Sequence, residues 1–429
     1  MNPLQLFLPC AAGVEGFLAD EVHAITGYSG HDLMVGRGGV LVRGSWRDAM
    51  LLNLHSRLAQ RVLVQLSQSM YRSENDLYRA ASEVAWEIWF STRETFKIEV
   101  TAQHSPLTSL NFAALRVKDA IADRFRAKKQ DQRPSVETRH PDVRVHLHLT
   151  TDEATIYIDT SGEALFKRGW REDKGDAPLK ETLAAAMIAA TGWDPHGDHP
   201  QPLYDPCCGS GTVVIEAAQI ACRIPPGIQR RFAFEKLVPF QPHVWEAILR
   251  QAEEAICDSP VGIYGSDVSH RMVDFAQRNA ERAGVARAVS LRGGDALQRM
   301  PPSEQPGVMV LNPPYGERIA AAGTAGRNAA ERMGQVAHVG RETAQTEDGV
   351  EFFSQLASHW KKNYSGWQAW MLTPDLKLPG KMRLKESRRV PLWNGPIECR
   401  MFRFDMIKGA VKPRRNAEGG DHPGGATAA

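Results

Sequence analysis

A chain of 429 residues is too long for one ordinary hydrophobic core, so two or three domains are expected. Hydrophobic residues make up 42% and charged residues 24%, a globular balance that excludes fibrous and largely disordered classes. No apolar run approaches the roughly 20 residues that span a bilayer, no basic region precedes the first short apolar run as a signal peptide requires, and a net charge of +2 does not by itself announce nucleic acid.

In chain order, residues 4–8 read as a strand and 13–26 as a helix, with Val14, Phe17, Leu18 and Val22 at helical spacing. Gly36, Gly38 and Gly39 lead into a strand at 40–42, and a helix follows over 46–56. Phe96, Ile98, Val100 and Ala102 alternate with more polar neighbours, the period of a half-buried strand. Residues 111–128 predict a basic amphipathic helix with Leu115, Ala122 and Phe125 inward. From Lys97 to Thr150 there are ten Lys/Arg, six Asp/Glu and four histidines, which on charge alone reads as a solvated helix face. Val143, Val145, Leu147 and Leu149 then open a hairpin that turns at Thr151-Asp152-Glu153 and continues through Ile156 and Ile158. His146 and His148 share one face of that strand, but no third ligand stands at a usable spacing, so no metal site is expected.

From Pro178 the pattern changes to alternating helix and strand. Pro178 suits a first helical turn, and residues 179–191 form an Ala-rich helix closing at Gly192. Residues 203–205 are a strand entering a glycine loop, with a helix over 213–221 leaving it. A second strand, 263–267, ends in Asp267 and precedes a helix over 270–283; a third, 289–292, ends near Asp295; a fourth, 308–311, ends at Asn312. Strands with polar carboxyl ends, most of them followed by helix, describe a doubly wound, mostly parallel α/β sheet that binds ligands along that edge. Residues 320–349 read as a loop or partly helical insertion, and those from 409 onward as a Gly/Pro/Ala-rich disordered tail.

The loop Asp205-Pro206-Cys207-Cys208-Gly209-Ser210-Gly211-Thr212 separates two cofactor classes. A dinucleotide loop needs a third glycine where Val214 stands, and a ribose-binding acid about twenty residues on, whereas Asp267 lies far beyond. An acid directly before the glycines adds negative charge where a pyrophosphate would sit. It suits a zwitterionic sulfonium ligand, S-adenosylmethionine. Gly209 and Gly211 then let the backbone approach the methionyl portion, Asp267 accepts from the ribose hydroxyls and Asp295 from the adenine amino group. Any one acid could instead be a helix cap; three ordered along successive strand ends favour the ligand. Cys207 and Cys208 read as small loop fillers, Cys207 lining the cofactor, rather than as nucleophiles. The six cysteines contain no CxxC pair, which fits reduced thiols in a cytoplasm.

Val308 to Leu311 followed by Asn312-Pro313-Pro314-Tyr315 is the most specific string in the chain. Two prolines force a rigid extended turn after a buried strand. The Asn312 side-chain oxygen and the Pro313 carbonyl can accept both hydrogens of an exocyclic amine and aim its lone pair at a methyl donor. Tyr315 offers a face on which a base stacks. Positioning suffices for such a transfer, because the leaving group is already a cation. The motif alone does not distinguish guanine N2 from adenine N6.

Together these motifs resemble the amino-methyltransferases of nucleic acids. Residues 165–171 (Leu-Phe-Lys-Arg-Gly-Trp-Arg) and 177–186, Ile224-Pro225-Pro226-Gly227, and Leu392 to Arg400 narrow the resemblance to THUMP-domain RNA methyltransferases, most of all the bacterial 23S rRNA guanine-N2 type (RlmL). The resemblance implies a ferredoxin-like unit over residues 1–55 and a THUMP RNA-binding domain over 56–165. A Rossmann-like class I methyltransferase domain follows over 166–408, with the 320–349 insertion, and then the 409–429 tail. It further implies that Asn312 is catalytic with Pro313 and Tyr315, that Lys180, Arg168, Pro314 and Tyr315 contact substrate, and that a guanine of 23S rRNA is the target.

Overall fold

The computed structural model describes residues 3–175, 178–313 and 348–407. The expected insertion at 320–349, apart from its last two residues, and the expected tail from 409 lie outside the described residues, as do Pro314 and Tyr315. Two seven-stranded sheets organise the rest.

The first contains β1 (Leu4–Pro9), β2 (Leu33–Gly36), β3 (Gly39–Gly44), β4 (Leu63–Met70), β5 (Phe96–Ala102), β6 (Val143–Leu149) and β7 (Glu153–Asp159), in the order β2-β3-β1-β4-β7-β6-β5. Every neighbouring pair is antiparallel except β5 and β6. That parallel pair needs a crossover, supplied by α4 (Leu110–Lys128). The other helices here are α1 (Glu15–Thr26), α2 (Trp46–His55) and α3 (Glu74–Glu83). Ser45 and Asp48 cap α2 reciprocally, so that helix starts where the sequence places it. β4 escaped the sequence reading for a physical reason: its register slips between Gln65 and Ser67, and that irregularity breaks the alternation. Along α4 the inward stripe is Ala113, Val117, Ile121 and Phe125. Leu115 lies off this stripe and is 50% exposed, which corrects the expectation that it faces inward; Ala122 and Phe125 are buried.

The second sheet contains β8 (Leu203–Asp205), β9 (Ile263–Asp267), β10 (Val289–Gly293), β11 (Val308–Leu311), β12 (Gln368–Thr373), β13 (Arg388–Asn394) and β14 (Ile397–Asp405), in the order β10-β9-β8-β11-β12-β14-β13. The first five are mutually parallel, and β14 runs against both β12 and β13. Its helices are α5 (Glu181–Thr191), α6 (Thr212–Ala221), α7 (Pro242–Glu254), α8 (His270–Arg282), α9 (Asp348–Asn363) and α10 (Leu378–Met382). Strand order reverses between β8 and β11, and such a switch point opens a crevice at the carboxyl ends. α5 begins later than expected. Lys180 is its N-cap, in extended conformation, so Pro178 stands ahead of the helix rather than in its first turn.

Packing explains why the strands read as apolar runs. Leu203, Val308, Val310 and Trp370 belong to a hydrophobic cluster continuous with the first sheet, including Leu6, Val64 and Leu165. Tyr204, Met309, Leu311 and Met371 pack on the other face against Phe352, Leu356 and Trp360 of α9. Strands covered on both faces carry few polar positions. Among the described residues no helix is long and apolar enough to cross a membrane.

Candidate active site

The crevice is set by the pairing of β8 with β11, in which Tyr204 stands opposite Met309. Asp205, one residue further along β8, and Asn312, three residues beyond Met309 at the end of β11, therefore emerge at the same edge. β9 delivers Asp267 there and the end of β10 delivers Asp295.

The three acids repeat one local device. Asp205 Oδ1 accepts from Cys207 N (3.0 Å), Asp267 Oδ1 from Ser269 N (2.9 Å) and Asp295 Oδ1 from Leu297 N (2.9 Å). Each carboxylate thus folds the turn that follows its own strand. Asp267 does more: its Oδ2 accepts from Gly209 N at 3.0 Å and ties the second strand to the glycine loop. Within that loop Gly209 has φ of 53° and Gly211 of 92°, both left-handed. Asp205 is buried, and its carboxyl is pushed up to about 8, first by burial and then by the nearby charge of Asp267. All three acids also raise the half-buried Cys207 thiol, whose largest cause is again burial, so they converge on one small volume. Cys208 is raised as well, by burial and the same two nearest acids. Thiols held protonated in this way are poor nucleophiles, and all six cysteines are free.

Asn312 carries the feature that the sequence could not show. Its Oδ1 is buried and has no hydrogen-bond partner among the described residues. A buried carbonyl oxygen left without a donor costs about 1–3 kcal/mol, a cost that a bound amine would relieve. Pro313 follows it, buried, with no N–H of its own.

Two expected substrate contacts part company. Lys180 is exposed and lies over the Phe166 ring at 5.3 Å, at the head of α5. Arg168 is not available to substrate, which corrects the expectation. It is 1% exposed, with Nε 3.0 Å from Glu216 Oε1, while its other nitrogens donate to the carbonyls of Leu165 and Arg57. Its charge joins parts of the chain. Reading the sequence also missed Arg171 and Asn279, which bind the glycine loop from outside it; no spacing signals either. Among the described residues no cluster of three or more His, Cys, Asp or Glu could hold a metal. His146 is instead paired with Asp159 at 3.1 Å.

A mostly parallel sheet with a glycine loop at its switch point, acids on the next two strand ends and an Asn-Pro turn on the fourth defines a class I methyltransferase domain. Three family models match successive stretches of the chain. Residues 5–63 match the RlmL ferredoxin-like domain, 71–159 the THUMP domain, and 168–339 the RMKL-like methyltransferase domain. The ribosomal RNA large subunit methyltransferase K/L of Psychromonas ingrahamii is 34% identical over 420 residues, covering 96% of this chain and 51% of the relative. The chain therefore spans about half the length of the curated relatives it matches. Among solved structures, one described as a methyltransferase complexed with S-adenosylhomocysteine (SMU.472) superposes with a TM-score of 0.81 at 27% identity, covering 96% of this chain and all of the other. Another, from Listeria monocytogenes and described as an N6-adenine-specific DNA methylase, gives 0.79 at 29% identity, covering 94% and 96%.

Proposed function

We propose that the protein is an S-adenosylmethionine-dependent RNA methyltransferase acting on the exocyclic N2 amine of a guanine in 23S rRNA, in the cytoplasm. The observation that carries this reading is the unpartnered, buried Asn312 Oδ1 at the edge where the glycine loop and the three acids meet. Residues 166–408 hold cofactor and target base, and residues 1–55 and 56–165 grip the RNA.

The residues present fit the cofactor. Gly209 and Gly211 allow close backbone approach, and Asp205 supplies a carboxylate for a cationic ligand. Asp267 and Asp295 suit hydroxyl and amino donors. When bound, S-adenosylmethionine supplies a methyl group on a positively charged sulfur. Asn312 Oδ1 and the Pro313 carbonyl accept the two amine hydrogens, which orients the nitrogen lone pair and keeps water from taking its place. Lys180, exposed at the rim, meets the RNA backbone. Pro314 and Tyr315 complete the base platform.

Adenine N6 is the second reading, supported by the description of the Listeria neighbour. One experiment separates them. Purified protein is incubated with labelled S-adenosylmethionine and unmodified 23S rRNA, tRNA or duplex DNA, and the modified nucleoside is identified. Label in N2-methylguanosine from 23S rRNA is the expected outcome. Label in N6-methyladenine from any substrate overturns the assignment of the base, and N2-methylguanosine from tRNA overturns that of the RNA.

A further inference from the structure

The glycine loop holds two residues in left-handed conformation, and such a loop has little stiffness of its own. Its shape is imposed from outside. Asp205 and Asp267 fix the backbone amides of Cys207 and Gly209. The remaining half, Ser210 to Thr212, is fixed by the segment that leads from the first sheet into α5. Arg171 is the centre of that contact. Its Nη1 donates to Ser210 Oγ (3.2 Å), and its Nη2 to Thr212 Oγ1 (2.6 Å) and to the Leu179 carbonyl (3.2 Å). Its Nε donates to Glu181 Oε1 (2.7 Å), and its guanidinium stacks on the Trp170 ring at 5.1 Å. Ser210, Thr212 and Glu181 are all buried. A planar fork of donors is required to reach acceptors on both sides at once, and a lysine ammonium cannot span them.

The same segment is anchored further on. Asp173 pairs with Arg278 (2.7 Å) and Arg282 (2.6 Å) of α8, and Asn279 Nδ2 donates both to the Asp173 carbonyl (2.8 Å) and to the Ser210 carbonyl (3.0 Å). Upstream, Arg168 is pinned to Glu216. Arg171 thus lies between two fixed points, and its free end holds the loop.

Resting on the methyltransferase reading above, we infer that Arg171 is a positioning residue that sets the Ser210–Thr212 half of the cofactor loop in its binding shape. It acts through the two hydroxyls rather than by touching the cofactor. Loss of the fork leaves the sheet and the catalytic turn in place but lets the loop sample shapes that bind poorly. Affinity for the cofactor falls while turnover at saturation is kept.

The test uses the full chain and S-adenosylhomocysteine as the probe in calorimetry, with R171K, R171Q and the double variant S210A/T212V. Wild type should bind the probe. Each variant should bind it about 10- to 100-fold more weakly, the loss of one or two charge-assisted hydrogen bonds. KM for S-adenosylmethionine should rise in step, with kcat at saturation and RNA affinity within about threefold of wild type. In the ligand-free protein, amide exchange should accelerate at residues 208–212 and not across the second sheet. Probe affinity within about twofold of wild type, or faster exchange spread over the whole domain, overturns the inference. Should R171Q fail to fold, R171K and the double variant carry the same decision. If wild type does not bind the probe, the cofactor reading fails, and the exchange measurement still decides whether Arg171 orders the loop.

Discussion

Asp205 carries the cost of the site most directly. Its carboxyl titrates near 8 in the folded chain, chiefly because it is buried, against an ordinary value of 3.8. The folded state therefore holds a proton that the unfolded chain releases. The stability this contributes is complete below the ordinary value and is lost as pH rises through about 8. D205N keeps an acceptor for the Cys207 amide and removes the titration, so its melting temperature should fall less than that of wild type between about pH 5 and 9. Parallel pH profiles would count against a buried, protonated Asp205. A cationic ligand favours the ionised carboxylate, so cofactor binding near neutral pH should release a proton, visible as a calorimetric enthalpy that varies with buffer. Asn312 is the second residue whose cost implies a use. Asn312→Ala removes an acceptor that the folded chain leaves unpartnered. It should lower kcat by about 10²–10³ while S-adenosylhomocysteine affinity stays within about tenfold. A parallel collapse of both would make Asn312 structural.

The two glycines of the cofactor loop differ in a way that gives a graded prediction. A Cβ on Gly211 would stand 3.0 Å from Ala276 Cβ of α8 and 3.2 Å from Ile215 Cδ1, whereas one on Gly209 meets nothing within 4 Å. Both substitutions cost left-handed strain of about 1–2 kcal/mol, but only G211A must also push α8 away. G211A should therefore lose more stability and more cofactor affinity than G209A in denaturant titration and calorimetry; equal losses would show that space beside α8 is not limiting. Loop, acids and Asn-Pro turn were legible in the sequence because each sits at the carboxyl end of a short strand, and the strands before the loop and the Asn-Pro turn are buried throughout. β4 was not, since a register slip hides its period, and β12 was not, since full burial leaves it no alternation. Leu115 and Arg168 misled for a shared reason: composition tells which residues favour a face or a partner, but not which turn of helix or which joint receives them. Arg171 is the same problem in reverse, a long-range tie with no local pattern.

At the scale of the whole molecule, the two sheets share one hydrophobic cluster and a buried charged joint. Glu216, in the helix that leaves the cofactor loop, is fully buried and faces Arg168 at 3.0 Å and Arg57 at 3.6 Å. Arg57 lies just after α2 and Arg168 in the segment leading to α5, so one carboxylate fastens three stretches of chain. Burial, and then the neighbouring charge of Arg168, lower the Arg57 guanidinium, and Glu216 works against both. Removing the carboxylate leaves the buried Arg168 and the half-buried Arg57 facing each other without their shared anion, a change that typically costs about 3–5 kcal/mol. E216Q keeps the volume and should be destabilised by that amount in denaturant titration. Because core and joint are continuous, the loss should be felt by both halves together. Near-ultraviolet signals from Trp86 in the first half and from Trp360 and Trp370 in the second are separable by single tryptophan replacement, and their midpoints should fall by the same step. Midpoints that separate in E216Q would mean that the halves are held by the joint alone and fold independently without it. Coincident midpoints would mean that the half built on the first sheet and the half built on the second are one cooperative unit, in which strain at either sheet is carried to the other.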